Sequence, residues 1–580
     1  MNSAKQRLKE HLNFLYDEDD AKWLFGEVKS KIESFRERNP SRAEKADRDS
    51  YFSEEDTVLI TYGDQVKTPD EAPLRTLGKF LKKTVEDEFS TVHLLPFFPY
   101  SSDDGFSITN YRTVNPDMGD WDDIQQLDEN FNLMFDAVIN HVSRQGKWFQ
   151  RYLEGDPAYE DFFIEVDESW DLSQVVRPRD NPLITEIEGE EGTKKLWTTF
   201  SDDQIDLNYA NPDVLAEIID LLLFYVEQGA EIIRLDAIAY LWKKSGTTCI
   251  HLEETHRVVQ IFRKVLDLAA PDVALITETN VPHEQNVSYF GDGENEAQMV
   301  YQFPLPPLVL DAFVRSNTKS LTAWAKGLEF PDTGATFFNF LASHDGIGVR
   351  PAEGLLPESS IERMVERTRE HGGAVSYKSD SDGGKSPYEL NITYFDALSD
   401  PNGNEPKELQ VSRFMSSQAI MLAFRGVPGV YVHSLFGSRN WVEGMEKTGR
   451  KRTINREKFS LEEIEKELED PNSIRSMVLN RFKELLQIRQ DHAAFSPASE
   501  QRVLDLGSIV FAFSRIPENK KSSVLCIHSV SENEQTLSLP SEVPNEGEKM
   551  EDLISGRTYE LPEIRVPPYE VLWLEKVSGK

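Results

Sequence analysis

The sequence predicts an α/β fold: a (β/α)8 TIM barrel with inserted loop subdomains, followed by a C-terminal antiparallel β-sandwich. Three observations predict it. Eight short apolar runs alternate with helical patterns between residues 58 and 432. Those runs are predominantly hydrophobic without strict alternation, as strands of a covered parallel sheet are. Beyond about residue 500 the texture changes to short alternating runs, the mark of antiparallel strands. A doubly wound open sheet is the alternative, because barrel closure leaves no trace in a sequence.

Residues 1–50 read as a docking helical segment, with Leu8, Leu12, Phe14, Leu15, Trp23 and Leu24 at apolar positions and Asn39-Pro40-Ser41 breaking the run. A catalytic barrel is expected over 51–499. Its strands are read at 58–62, 92–95, 133–138, 232–236, 273–276, 299–303, 336–340 and 429–432, with helices at 212–228, 253–269 and 408–424. Two irregular stretches, 142–205 and 346–405, follow the third and seventh strands, where barrel loops build active sites. Residues 500–580 supply the small β domain, with runs at 503–506, 509–513, 523–527, 536–539 and 571–574.

Of 580 residues, 63 are Lys or Arg and 101 are Asp or Glu, a formal net charge of −38. So acidic a chain repels phosphodiesters and anionic lipid heads, and KWFQR and KRTINR are too short to offset that, so neither nucleic acid nor membrane is expected as a partner. Two distant cysteines, Cys249 and Cys526, form neither a disulfide framework nor a zinc ribbon. The charged N-terminus lacks a signal-like apolar core, and no run nears the ~18 apolar residues of a membrane span, so a cytoplasmic protein is expected. The acid excess also suits life in salt.

Chemistry gathers at the strand ends. The third strand leads into Asp136, Asn140 and His141; the fourth ends Arg234-Leu-Asp236; the fifth ends Thr277-Glu278; the seventh runs into His344-Asp345. Each acid alone could be a salt-bridged structural residue, but an unpaired buried carboxylate is costly, and three at three loop positions point to a shared task. Three carboxylates without a His/Cys metal set suit acetal chemistry at a sugar's anomeric carbon, where a retaining pair stands about 5–5.5 Å apart. Asp236, beside Arg234, is expected to stay ionised as nucleophile. Glu278 needs an upshifted pKa to serve as acid/base, and Asp345 would steady positive charge on the ring.

The motifs AVINH, IIRLDA, ITETN and ASHDG resemble the four ordered signature regions of glycoside hydrolase family 13, the α-amylase superfamily, over nearly the whole chain. HLLPFFPYSSDDGFSITNYR, FSDDQIDLNY and SHDGIGVRPAEGLLPES are similar to its sucrose-phosphorylase-like subfamily, whose members transfer glucose to phosphate. That resemblance implies Asp236 as nucleophile, Glu278 as acid/base and Asp345 as transition-state stabiliser. It implies that Asp103, Phe106, His141, Gln204, Arg234, Tyr240, His344 and Arg452 grip the glucosyl ring, and that Arg179 of RPR and Tyr388 of SPYE contact phosphate. Ser343 stands where many members carry Asn, which leaves the triad intact.

The implied reaction is reversible phosphorolysis of a small α-glucoside by double displacement, needing inorganic phosphate, no cofactor and no metal. Glycerol is the favoured acceptor, because Glu389 would hydrogen-bond a neutral polyol and repel a carboxylate and because the composition suits an osmolyte. Glycerate, with Arg350 or Lys385 as its seat, is the alternative, then fructose or its phosphate. A plain α-glucosidase and an inactive carbohydrate-binding barrel are the competing classes. His251 and His256 are read as residues of a helix surface or cap.

Overall fold

The computed structural model describes residues 2–43, 51–179, 181–189, 192–331, 333–379, 384–539 and 549–577. Parts of the expected N-terminal segment (44–50), second insertion (380–383) and β domain (540–548 and 578–580) lie outside the described residues.

Eight parallel strands close into a barrel: β1 (Val58–Thr61), β2 (Thr91–Leu94), β3 (Asn132–Ala137), β4 (Ala230–Leu235), β5 (Ala274–Thr277), β6 (Met299–Tyr301), β7 (Thr336–Phe340) and β8 (Val427–Tyr431). Each lies beside its sequence neighbours, and β8 returns to pair with β1, Val58 opposite Gly429. The predominantly apolar character of these strands follows from burial on both faces; every residue of β1, β2, β5, β6, β7 and β8 is buried. Closure therefore settles the choice between barrel and open sheet.

At the N-terminus are α1 (Asn2–Leu15) and α2 (Glu18–Arg38). Asp17 caps α2 by accepting from the N–H groups of Asp19 and Asp20, and acids in the first turn with Arg36 and Arg38 in the last match the helix dipole. Ala21, Leu24, Val28, Ile32 and Phe35 recur at helical spacing and are all buried, each large side chain contributing about 1.5–3 kcal/mol relative to exposure. They meet α3 (Pro212–Glu227), which starts on an Asn211 cap with Pro212 in its first turn. Because α3 lies between the barrel and α2, it is apolar nearly all round. Against α1 lies α4 (Glu253–Ala269).

The first insertion contains a hairpin, Ile184–Gly189 with Gly192–Trp197, and a short antiparallel pair, His141–Ser143 with Gln204–Asp206. The second contains a helix, Glu358–Glu370, and a three-stranded sheet in which Lys385–Asn391 is central between Ile347–Gly348 and Ala374–Ser379. Beyond residue 500, a six-stranded antiparallel sheet packs against the pair Gln535–Ser538 and Glu563–Val566, with Val510, Leu525, Ile527, Leu537, Ile564 and Leu572 between the layers. The strands Lys549–Asp552, Thr558–Glu560 and Glu563–Val566 escape the sequence reading because each is short and half polar. His251 and His256 face inward: His251 Nδ1 lies 3.0 Å from the Tyr289 hydroxyl, and His256 stacks on that ring and reaches Glu296 at 2.9 Å.

Candidate active site

Strand register brings the two leading acids together. Leu235 on β4 is paired with Thr277 on β5, so the next residues, Asp236 and Glu278, leave neighbouring strands at the same level. Adjacent strands run about 4.8 Å apart, the scale of a retaining pair. Beneath them lies Arg234, buried and level with Asp136 on β3. Its Nη1 bonds Asp136 and donates to Asp236 Oδ1 at 2.7 Å, Nη2 stands 3.9 Å from Glu278 Oε2, and Nε donates to the Tyr301 hydroxyl at 3.2 Å. His93 Nε2 holds the other Asp136 oxygen at 2.7 Å. One guanidinium thus orients both carboxyls from below, and Glu278 Oε2 also accepts the Ala237 N–H at 3.1 Å.

The environments push the acids apart. Burial, with the charges of Asp236 and Asp345, raises Glu278 to about 7 against the pull of Arg234. Asp236 is raised too, by burial first and by Asp136, with Arg234 pulling down. The contact with Arg234 expected from sequence is present, but its sign is overruled: desolvation outweighs the guanidinium. Asp345 is buried as well, which alone would raise it, yet the Arg452 and Arg456 guanidiniums hold it well below the usual carboxylate range. Burial pushes His344 down to about 3, so it is neutral where it stacks on Phe106, ring centres 4.7 Å apart.

Asp103 and Asp104 follow each other in the left-handed region, at φ 54° and 50°. Gly105 comes next at φ 114°, where an added Cβ would fall 2.6 Å from the Pro96 carbonyl oxygen, so only glycine fits. Arg456 ties this turn down: it pairs with Asp104 through Nη1 and donates from Nε to the His344 carbonyl at 2.8 Å. On the opposite wall, His141 Nε2 and Gln204 Nε2 approach the Phe106 carbonyl at 2.9 and 3.0 Å. That wall is anchored by a buried ion pair, Lys243 Nζ to Asp206 Oδ2 at 2.5 Å. Lys243 also bonds the Tyr240 carbonyl and Asn140, while Asp206 accepts from the Thr199 N–H and hydroxyl.

All the predicted site residues but Arg234, Tyr240 and Glu389 line one cavity at the carboxyl ends of the barrel strands. Arg234 underlies it. Tyr240 packs edge-on to Phe200 with ring centres 5.5 Å apart. Glu389 is buried under Arg452, whose Nε and Nη2 reach its two oxygens at 3.1 and 2.7 Å while Nη1 holds Asp345. The reading of Glu389 as a free carboxylate facing the acceptor is therefore corrected: it is buried and held in an ion pair that Arg452 shares with Asp345. Asn280, a polar residue at the end of the fifth strand two residues beyond Glu278, lines the cavity, and so do Phe200 and Ala237, which the sequence does not single out although Phe200 abuts the SDDQ motif. Arg179 and Tyr388, from the two insertions, close the mouth; the Arg179 guanidinium lies over the Phe200 ring at 5.8 Å, and burial pushes the Tyr388 phenol up to about 12, so it remains a neutral donor.

Residues 84–345 match the family model of the α-amylase catalytic domain. A glucosylglycerate phosphorylase of Spirochaeta thermophila is 49% identical over 99% of this chain and 99% of its own length. A glucosylglycerol phosphorylase of Marinobacter adhaerens is 27% identical over 78% of this chain and 91% of its own. Among solved structures, sucrose 6F-phosphate phosphorylase from Thermoanaerobacter thermosaccharolyticum superimposes with a TM-score of 0.72 at 26% identity, covering 87% of this chain and 98% of that one.

Proposed function

This chain belongs to the α-amylase family, and on that premise we propose that it is a retaining α-glucosyl phosphorylase converting glucosylglycerate and phosphate into α-D-glucose 1-phosphate and glycerate. One observation supports the phosphorylase reading: Arg179 and Tyr388 line the cavity that holds Asp236 and Glu278, so a guanidinium fork and a phenol are available to an incoming phosphate. The acceptor favoured from sequence, glycerol, rests on Glu389 as a free repelling charge, whereas Glu389 is engaged by Arg452. Glycerate is supported by the 49% identity to a glucosylglycerate phosphorylase against 27% to a glucosylglycerol phosphorylase.

In the proposed mechanism a carboxylate oxygen of Asp236 bonds to carbon 1 of the glucosyl unit as the bond to the glyceryl oxygen breaks, and Glu278 gives its proton to that oxygen. Asp345, kept ionised by Arg452 and Arg456, stabilises the positive charge of the oxocarbenium-like transition state. Phosphate then enters on the face that glycerate left. Glu278 takes its proton, a phosphate oxygen bonds to carbon 1, and the ester to Asp236 breaks. Two inversions retain the α configuration. The product ester keeps much of the glycosidic bond's free energy, so the reaction runs both ways.

Incubating the protein with α-D-glucose 1-phosphate and, separately, D-glycerate, glycerol and fructose tests this. Phosphate release with glycerate is expected. Release with glycerol alone would restore the first acceptor, and free glucose independent of any acceptor would make the protein a hydrolase.

A further inference from the structure

The guanidiniums around the cavity differ in how their charge is balanced. Arg234 is paired with Asp136 and Asp236, Arg452 with Asp345 and Glu389, and Arg456 with Asp104. Arg179 lies over an aromatic ring, and its charge is the one assigned above to phosphate. Arg350, half-buried, has no carboxylate within ion-pair reach among the described residues. One phosphate and a neutral glucosyl ring leave its charge unexplained.

Its position is fixed by the second insertion. Arg350 begins the short turn Arg350–Ala352, directly after the strand Ile347–Gly348. That strand packs behind two residues of the cavity lining: Gly348 approaches the Asn280 amide so closely that an added Cβ would fall 3.1 Å from its Nδ2, and the Val349 N–H donates to the Tyr388 carbonyl at 3.1 Å. The Arg350 guanidinium stands near enough to the Tyr240 hydroxyl to offset part of the rise that burial causes in its pKa, and the Tyr240 ring packs against Phe200 of the wall. Asn280 adds a second sign of a missing partner, since its buried Oδ1 accepts no hydrogen bond. All of these lie on the side of Glu278, where the leaving alcohol must stand to receive its proton.

We propose that Arg350, beside the Tyr240 hydroxyl, seats the carboxylate of the acceptor, while Asn280 Oδ1 accepts a hydrogen bond from one of its hydroxyls, so that the site selects a small hydroxy-acid anion as leaving group. This rests on the glucosylglycerate reading above and adds the residue that makes the choice. Glycerol differs from glycerate in offering a neutral hydroxymethyl where the anion offers a carboxylate, so it gains nothing from a guanidinium fork. Phosphate also is an anion, and the two sources of negative charge are separated by measuring both.

The test measures kcat/KM for D-glycerate and for glycerol in the synthetic direction, and KM for phosphate in phosphorolysis, for the wild type and for Arg350→Ala, Arg350→Gln and Arg350→Lys. Loss of one charge-assisted hydrogen-bonding partner should lower kcat/KM for glycerate about 10- to 150-fold in the Ala and Gln variants. The ratio of glycerate to glycerol use should fall with it, and Lys should recover part of the loss. Equal losses on glycerate and glycerol would overturn the assignment. So would a rise in KM for phosphate as large as the loss on glycerate, which would make Arg350 a phosphate ligand. A wild type inactive on glycerate would instead refute the glucosylglycerate reading itself, before any variant is made.

Discussion

Arg452 forks onto Glu389 with two arms, Nε to Oε1 at 3.1 Å and Nη2 to Oε2 at 2.7 Å, while its third nitrogen holds Asp345. A carboxylate so engaged sets the position of its arginine and is not free to turn toward the acceptor. Glu389→Gln should lower kcat with glycerate and with glycerol by the same factor and cost about 1–3 kcal/mol of stability, read as a drop in Tm. A selective gain with glycerate would show that Glu389 faces the acceptor after all.

The pH profile should carry the signature of Glu278. Burial and its acidic neighbours hold it near 7, so it is protonated below that pH and loses its proton above. Cleavage of the glucoside needs the acid form. The value of kcat/KM for glucosylglycerate should therefore fall about tenfold per pH unit well above 7. A profile flat to pH 9 would assign the proton donor elsewhere.

Glu278→Gln separates proton donation from nucleophilic attack. Fluoride leaves carbon 1 without being protonated, so the variant should still be glucosylated by α-D-glucosyl fluoride while phosphorolysis of glucosylglycerate falls by roughly 10²–10⁴-fold. Asp236→Ala should lose both. Trapping the glucosyl-enzyme by mass spectrometry distinguishes the two variants.

Arg179→Ala removes the guanidinium that stands over Phe200 at the mouth. The KM for phosphate should rise about 10- to 150-fold. Release of glucose from α-D-glucosyl fluoride in water should change far less. Parallel losses in both assays would make Arg179 a structural prop.

Lys243 and Asp206 form a buried pair behind the wall that carries Gln204. Lys243→Met leaves Asp206 charged in a dry site and should cost roughly 3–5 kcal/mol. Pairing it with Asp206→Leu should return part of that stability in thermal unfolding. A double variant as unstable as the sum of its parts would show that the two charges do not act on each other.

The barrel is legible in the sequence because strands buried on both faces are mostly apolar, and the charged residues in them and at their ends stand out against that background. Asp236, Glu278 and Asp345 are visible for this reason. Glu389 is misread because its meaning depends on Arg452, sixty-three residues further on and brought beside it only by the fold. Phe200 and the nearness of Arg350 to Tyr240 are hidden in the same way: ordinary residue types that become a wall only when two insertions fold over the strand ends. The small strands between residues 549 and 566 are missed because half their side chains face water.

Asp236 and Glu278 sit so close above Arg234 that each feels the other's charge, and this gives the proposed cycle its own timing. Part of what keeps the proton on Glu278 is the negative charge of Asp236. When Asp236 becomes an ester that charge disappears, Arg234 turns its pull on Glu278 alone, and the proton's hold weakens. Forming the covalent intermediate therefore converts its neighbour from donor to acceptor at the moment phosphate arrives with a proton to lose. Release of the sugar phosphate restores the charge on Asp236 and re-arms Glu278 for the next turnover.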